Sequence, residues 1–264
     1  MIARTFITMS LLVLVTTLFA QEFWLKPKKY RYSSGEKLVV SFRTGGDFIG
    51  QPWDATGGRV RALVHQIEKS LDLSDSLKPG ENENLTYLLK SEGTYLLSFE
   101  TEGILRETAP EQFNQMLKDY ELDALNSRRK SNGTLDPGKE YYSVMAKLII
   151  QVGDKKDDTY NKNLGWPVEI LADRNPCSLT VGDQLRFKIL FDGKPVLGVR
   201  AKVWNRFDNR TTIQNIYTEK DGTFETRISS PGPWMVTVMK MNPSEQPGAD
   251  WRSYQASFIF GIDK

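Results

Sequence analysis

This 264-residue chain contains a single cysteine, Cys177, and a single histidine, His65. One cysteine excludes an internal disulfide framework, so stability must come from a packed core, which a chain of this length supplies as one or two domains. One histidine limits any nucleophile–base set to His65 and Cys177, and neither sits in a nucleophile motif. Cys177 follows Asn175-Pro176 at a strand entrance and reads as a small buried hydrophobe. A lone histidine without a second histidine or a nearby cysteine falls short of the ligand count a metal requires, so His65 reads as structural or surface. A phosphate-cradling glycine loop and a metalloprotease helix motif are also absent. Paired carboxylates can catalyse without histidine, but nothing in the sequence brings Glu22, Asp47 or Asp54 into one pocket, and a non-enzymatic protein is expected.

Strong net charge is lacking too. One of the 35 Lys and Arg residues, Arg4, belongs to an apolar leader, and the remainder nearly balance the 33 Asp and Glu. This excludes nucleic acid or a broadly anionic surface as the partner. Long apolar runs are confined to that leader. Residues 1–20 carry Arg4, an apolar stretch from Phe6 to Leu18 interrupted by Thr and Ser, and the small Ala20, which together read as a cleaved signal peptide. The run is shorter than the ~20 residues a membrane span needs. Further on, Lys147 and Gln151 flank Leu148-Ile149-Ile150, so no later span is expected. A lipoprotein would need a cysteine at the cut. The expected location is therefore periplasmic or secreted.

Cleavage after Ala20 makes Gln21-Glu22-Phe23-Trp24-Leu25-Lys26-Pro27 the start of the mature chain. Free termini are usually polar and mobile, so these aromatics imply a terminus tied into the fold. Residues 21–153 read as a β-rich domain, with strands at 37–43, 59–67, 85–90, 94–100 and 140–152. Between the first two strands, Gly45-Gly46 and Gly50 shape a loop that presents Phe48 and Trp53. Such a loop is either a ligand lip or a hairpin loop whose aromatics cap the core. One helix near 109–130 is expected from Phe113, Met116, Leu117, Tyr120, Ala124 and Leu125 at helical spacing, with Thr108-Ala109-Pro110-Glu111 as its capping box.

Residues 154–165, charged at their start, read as a linker. Residues 166–264 alternate as an immunoglobulin-like β-sandwich: Leu185, Phe187, Ile189 and Phe191; Val199, Ala201 and Val203; Phe224, Thr226 and Ile228; Trp234, Val236 and Val238; Tyr254, Ala256, Phe258 and Phe260. Opposite Val199, Ala201 and Val203 lie Arg200, Lys202, Trp204 and Arg206. On a solvated outer face these form either a basic strip around an aromatic, suited to carboxylated or glycan partners, or ordinary surface whose arginine stems cover Trp204. The candidate binding residues are Glu22, Trp24, Asp47, Trp53, Trp204 and Arg206.

The order of the motifs resembles a bacterial family named for a nickel-uptake substrate-specific transmembrane region, also treated as a domain of unknown function. The resemblance is carried by Gln21 to Pro27, Phe113-Asn114, Tyr142 through Ala146-Lys147 to Val152-Gly153, Gly165-Trp166-Pro167-Val168-Glu169-Ile170, Asn175-Pro176, Gly182-Asp183, Asp192-Gly193-Lys194-Pro195, Asp221-Gly222-Thr223-Phe224 and Trp251 to Ser257. It implies an exported protein of two β-domains with an accessory role in nickel, cobalt or copper handling, alongside a transporter component or envelope protein. Relatives often carry histidine where this chain has Gln21 and Lys240, so the resemblance carries no metal ligand onto those positions. Met239 and Met241, soft ligands for copper(I) at best, read as exposed residues on a strand edge. The alternative is an envelope interaction module that binds a glycan or a partner protein through its sandwich faces.

Overall fold

A computed structural model describes residues 22–53, 59–67, 69–131 and 136–263. Within them the chain is mainly β. The first half runs β1 (Glu22–Pro27), β2 (Arg31–Tyr32), β3 (Lys37–Gly45), β4 (Gln51–Pro52), β5 (Val60–Gln66), β6 (Lys69–Asp72), β7 (Leu85–Leu88), β8 (Gly93–Thr101) and β9 (Ile104–Thr108). Two helices follow, α1 (Pro110–Asp119) and α2 (Asp123–Ser131), and then the long β10 (Gly138–Val152). The second half runs β11 (Val168–Ala172), β12 (Gln184–Phe191), β13 (Lys194–Pro195), β14 (Arg200–Phe207), β15 (Arg210–Tyr217), β16 (Thr223–Arg227), β17 (Gly232–Pro243) and β18 (Trp251–Ile262). The leader, Gln21 and Asp54 lie outside the described residues.

These strands form three sheets. The largest follows the order β15-β14-β17-β18-β10-β8-β5-β6, with β2 and β9 also pairing with β10. It draws strands from both halves of the sequence. Strand β10 lies parallel to β18, with Glu140 opposite Trp251 and Leu148 opposite Ile259. Sheets of β1-β3-β4 with β7, and of β11-β12-β13 with β16, make up the rest.

The alternation along β10 shows how the layers stack. Val144, Ala146, Leu148 and Ile150 enter one core with Phe23, Leu25, Leu38, Val40 and Phe42 of the β1–β3 sheet. Ile149 enters a second core with Val168, Ile170, Leu185 and Phe187 of the β11–β12 sheet. Likewise Ile259 of β18 joins the first core, while Phe258 and Phe260 join the second. The large sheet is therefore a middle layer covered on both faces. This is why β10 is buried without a break from Ser143 to Val152 instead of alternating with exposed positions. The stretch 154–165 includes a 3-10 turn at Asp158–Asn161, with Asp157 accepting from Thr159 N at 3.0 Å and Tyr160 buried in the second core.

The helical region departs from the expected single helix. The chain breaks at Tyr120-Glu121-Leu122, where Glu121 takes a left-handed φ of +53°. The capping box does not form. Thr108 belongs to β9, and Ala109 is the N-cap with no side-chain bond, so Pro110 alone marks the start. Phe113, Met116 and Leu117 do face inward, and they meet Met239, Met241 and Trp251. The two late methionines are thus buried under α1 rather than exposed, because α1 covers that end of β17.

Lys147 sits at the heart of this packing. Its ammonium pairs with the Glu169 carboxylate and donates to Lys162 O at 2.9 Å, with both side chains almost fully enclosed. Glu169 also accepts from Leu164 N at 2.9 Å and Trp166 N at 3.2 Å. Burial pulls the lysine pKa below its ordinary value, against the opposing pull of the carboxylate. Removing one partner strands the other charge in an apolar layer. Lys147→Ala should therefore cost roughly 3–5 kcal/mol, while Lys147→Met with Glu169→Gln should cost less than Lys147→Ala; urea denaturation curves of the three proteins provide the comparison.

Candidate functional site

Strand β1 sends its side chains two ways. Phe23 enters an aromatic cluster, stacked on Phe99 at 5.2 Å and edge-on to Phe42 at 6.0 Å. Trp53 is half-buried in this cluster, 5.2 Å from both Phe23 and Phe99. Of the two readings of the glycine loop, its aromatics follow the core-capping one. β3 and β4 pair as a hairpin with Arg43 opposite Pro52, and Phe48 is buried edge-on to Trp24 at 5.8 Å.

Glu22 points the other way, into a closed polar network. Its carboxylate accepts from Lys202 Nζ at 3.1 Å and Gln255 Nε2 at 2.9 Å. Gln255 Oε1 accepts from Phe23 N at 3.2 Å and Tyr142 OH at 2.7 Å, and Gln255 Nε2 also reaches Tyr120 OH at 2.9 Å. Beside it, Arg106 donates twice to Glu140, at 2.9 and 2.7 Å, and lies 4.0 Å over the Tyr142 ring. Burial first, then the Glu22 carboxylate, pushes the Tyr120 phenol well above its ordinary pKa; burial likewise raises Tyr142. Both phenols therefore stay protonated. The network joins β1, α1, β10, β14 and β18 rather than forming an open ligand site.

The face of β14 that carries Arg200, Lys202, Trp204 and Arg206 is covered along most of its length, with only Arg206 left at an opening, and this corrects both sequence readings of it. Trp204 is buried in the first core and donates Nε1–H to Thr237 Oγ1 at 3.1 Å. Arg200 reaches Glu121 at 2.7 Å, and Lys202 sits 4.1 Å over Tyr120 as it pairs with Glu22. Elements from the first half of the chain lie over what would be the outer face of an isolated sandwich.

At the far end of that face, three sequence candidates do meet. Trp24, Arg206 and the loop containing Asp47 border a cavity of about 380 Å³, lined also by Lys26, Tyr30, Phe48 and Asp208. Two turns frame it. Asp47 and Phe48 have φ of +59° and +55°, and Asp208 and Asn209 have φ of +48° and +59°. Asp47 O pins the two turns together, accepting from Arg206 Nη1 at 3.2 Å and Thr211 Oγ1 at 2.7 Å. Asp208 and Asn209 are the two central residues of the β14–β15 hairpin, where left-handed φ is the norm, whereas Phe48 holds a conformation that large side chains avoid. The Nε1–H of Trp24 is enclosed and has no hydrogen-bond partner, a deficit of about 1–3 kcal/mol. Lys26, Lys28 and Arg206 outnumber Asp208 around the opening. Lys26, Tyr30 and the Asp208-Asn209 turn were missed from sequence; the turn chemistry was readable, but its position beside Trp24 was not.

The metal candidates fare differently. His65 is enclosed between Ser70 Oγ, at 2.7 Å from Nδ1, and Ser98 Oγ, at 3.0 Å from Nε2. Lys240 is buried, paired with Asp192 and 5.2 Å over Phe191. Cys177 is buried in the second core, and burial pushes its thiol up to about 12. Among the described residues, no three His, Cys, Asp or Glu side chains gather as a metal site. Gln21 lies outside them.

Residues 18–241 match the model of a family described as Domain of unknown function (DUF4198). No curated protein matches the chain. Solved structures give only distant likenesses. The three N-terminal domains of the bacteriophage RB49 Highly Immunogenic Outer Capsid protein (Hoc) align at 9% identity over 92% of this chain and 71% of theirs, with a TM-score of 0.22. A DUF4785 family protein from Legionella pneumophila aligns at 9% identity over 80% of this chain and 51% of its own, with a TM-score of 0.27. Salmonella alpha-2-macroglobulin reacted with methylamine aligns at 11% identity over 92% of this chain but 15% of its own, with a TM-score of 0.25. Likeness at this level identifies neither a shared fold nor a shared function.

Two outcomes are expected from this geometry. Gly50 has φ of +50°, and a Cβ there would lie 2.3 Å from Trp24 Cη2 and 2.9 Å from Thr44 O; Gly50→Ala should therefore destabilise the protein by about 1–3 kcal/mol, read as a lower urea midpoint. Desolvation first, and then Lys162, Lys147 and Arg61, lower the His65 pKa from 6.5 to about 4. Between those values the unfolded chain binds the extra proton, so stability should fall as pH drops from 6.5 toward 4 and stay flat above. His65→Gln should flatten that part of a melting-temperature profile.

Proposed function

We propose that this chain, which belongs to the DUF4198 family of unknown function, is an exported, non-enzymatic binding protein of the cell envelope. The cavity at Trp24 is its ligand site. The observation that carries this reading is a cavity walled by Trp24, Tyr30 and Phe48 with Lys26, Lys28 and Arg206 around its opening. Apolar walls with an excess of positive charge suit a carboxylated ligand. An acidic saccharide of an envelope polymer fits best, because it offers ring faces to the apolar wall and carboxylates to Arg206 and Lys26.

A second reading keeps the protein periplasmic or secreted but makes it an accessory in nickel, cobalt or copper handling beside a transporter component. It is supported by the order of motifs from Gln21 to Ser257. On this reading the chain handles metal indirectly, since Lys240, paired with Asp192, occupies one of the two positions where relatives carry histidine.

Calorimetric titration of the mature protein separates the two. With trigalacturonate, saturable binding is expected that weakens at least fivefold in Arg206→Gln and in Lys26→Gln, while a neutral trisaccharide gives no heat. Equal affinity in all three proteins would remove the cavity from the site. The absence of any response to trigalacturonate would favour the metal reading, and micromolar binding of Ni²⁺, Co²⁺, Cu²⁺ or Cu⁺ would then overturn indirect handling in favour of direct coordination.

A further inference from the structure

A smaller cavity, about 210 Å³, opens where the break between α1 and α2 meets the end of β17. Its walls include Leu122, Phe191, Arg200, Tyr217, Met239 and Lys240. Arg200 is nine-tenths buried. Its Nη1 donates to Glu121 at 2.7 Å, but its Nη2 is enclosed and has no acceptor. Glu121, the residue that holds the guanidinium, has a left-handed φ of +53° and also accepts from Tyr217 OH. Lys240 brings a second buried cation to the same cavity, with its ammonium shared between Asp192 and the face of Phe191.

We propose that this cavity is a binding site for a small organic monocarboxylate with a short apolar tail. An enclosed guanidinium N–H without an acceptor costs free energy that a carboxylate oxygen recovers through a charge-assisted bond. Lys240 adds attraction at short range. Leu122, Phe191 and Met239 give an apolar wall for the tail, and methionine adapts readily to the shape of a guest. The volume lies below that of drug-sized pockets and suits a handful of heavy atoms. Glu121 and Asp192 repel additional negative charge, which disfavours inorganic phosphate and dicarboxylates. The site goes beyond the saccharide reading. It shares no lining residue with the cavity at Trp24, and either site can fail without the other.

The test uses the full mature protein with ¹³C-labelled methionine methyl groups, titrated with hexanoate, hexanol, glutarate and inorganic phosphate. Hexanoate should give saturable shifts at Met239 and Met241, with Met145 unmoved. Hexanol, glutarate and phosphate should each bind at least tenfold more weakly. Arg200→Gln should weaken hexanoate at least tenfold, and Arg200→Lys should recover part of that loss. Equal responses to hexanoate and hexanol would overturn the proposal, as would unchanged affinity in Arg200→Gln. Should Arg200→Gln fail to fold, the wild-type shifts alone decide: the absence of saturation at Met239 and Met241 overturns the site.

Discussion

The parallel pairing of β10 with β18 is the constraint on which everything else rests. Parallel neighbours cannot be joined by a hairpin; they need a long crossover, and here the crossover is the entire second half of the chain. β10 spends each of its edges twice. β18 takes one edge along Glu140 to Leu148, and β2 takes Gln151 and Val152. On the other edge β9 pairs with Gly138 to Tyr142, and β8 with Ile149 to Val152. This strand fixes the position of both smaller sheets, and therefore of the Asp47 loop against the β14–β15 turn.

The charges on β10 enforce its register. Glu140 and Lys147 lie an odd number of residues apart, so they face opposite layers. Glu140 meets Arg106 and Ser253 on the side of the first core, and Lys147 meets Glu169 on the side of the second. A one-residue slip exchanges the faces of a strand and would bury both charges against apolar neighbours. The Gln255 network adds a second check, since Glu22, Tyr120 and Tyr142 reach one amide from three separate elements. Positive charge and aromatic rings recur together throughout, as in Arg106 over Tyr142 and Lys202 over Tyr120. Each of these cations has both a ring and an acceptor, which offsets the water that Lys202 loses on burial.

Local pattern was legible in the sequence. The alternation of Leu185, Phe187 and Ile189 gave β12, and the β-rich run from Glu140 to Val152 gave β10, though not its cover on both faces. Pairings across the chain were not legible, because period-two patterning identifies a face but not its occupant. The basic residues of β14 illustrate this: Arg200 and Lys202 alternate as surface residues do, yet β1 and the helix break lie on them. Met239 and Met241 were misread for the same reason, since α1 reaches them only through tertiary packing. At the candidate site, Trp24, Asp47 and Arg206 were legible as chemistry. Their meeting depends on a carbonyl, Asp47 O, and backbone acceptors leave no mark on a sequence. The helix break at Glu121 was likewise hidden, because no glycine marks its left-handed position.

The placement of β18 at the centre of the large sheet also dictates the order of events during folding. A chain that emerges from a translocation pore with its N-terminus first delivers β8 and β10 early, with one edge of β10 unpaired along most of its length. Until Trp251 to Ile262 arrives, neither core can close, because Ile259 belongs to one and Phe258 and Phe260 to the other. Contacts this distant in sequence make folding slow and leave strand edges open to wrong partners. For such a chain, the waiting period is a stage at which a chaperone that covers strand edges would have the most effect.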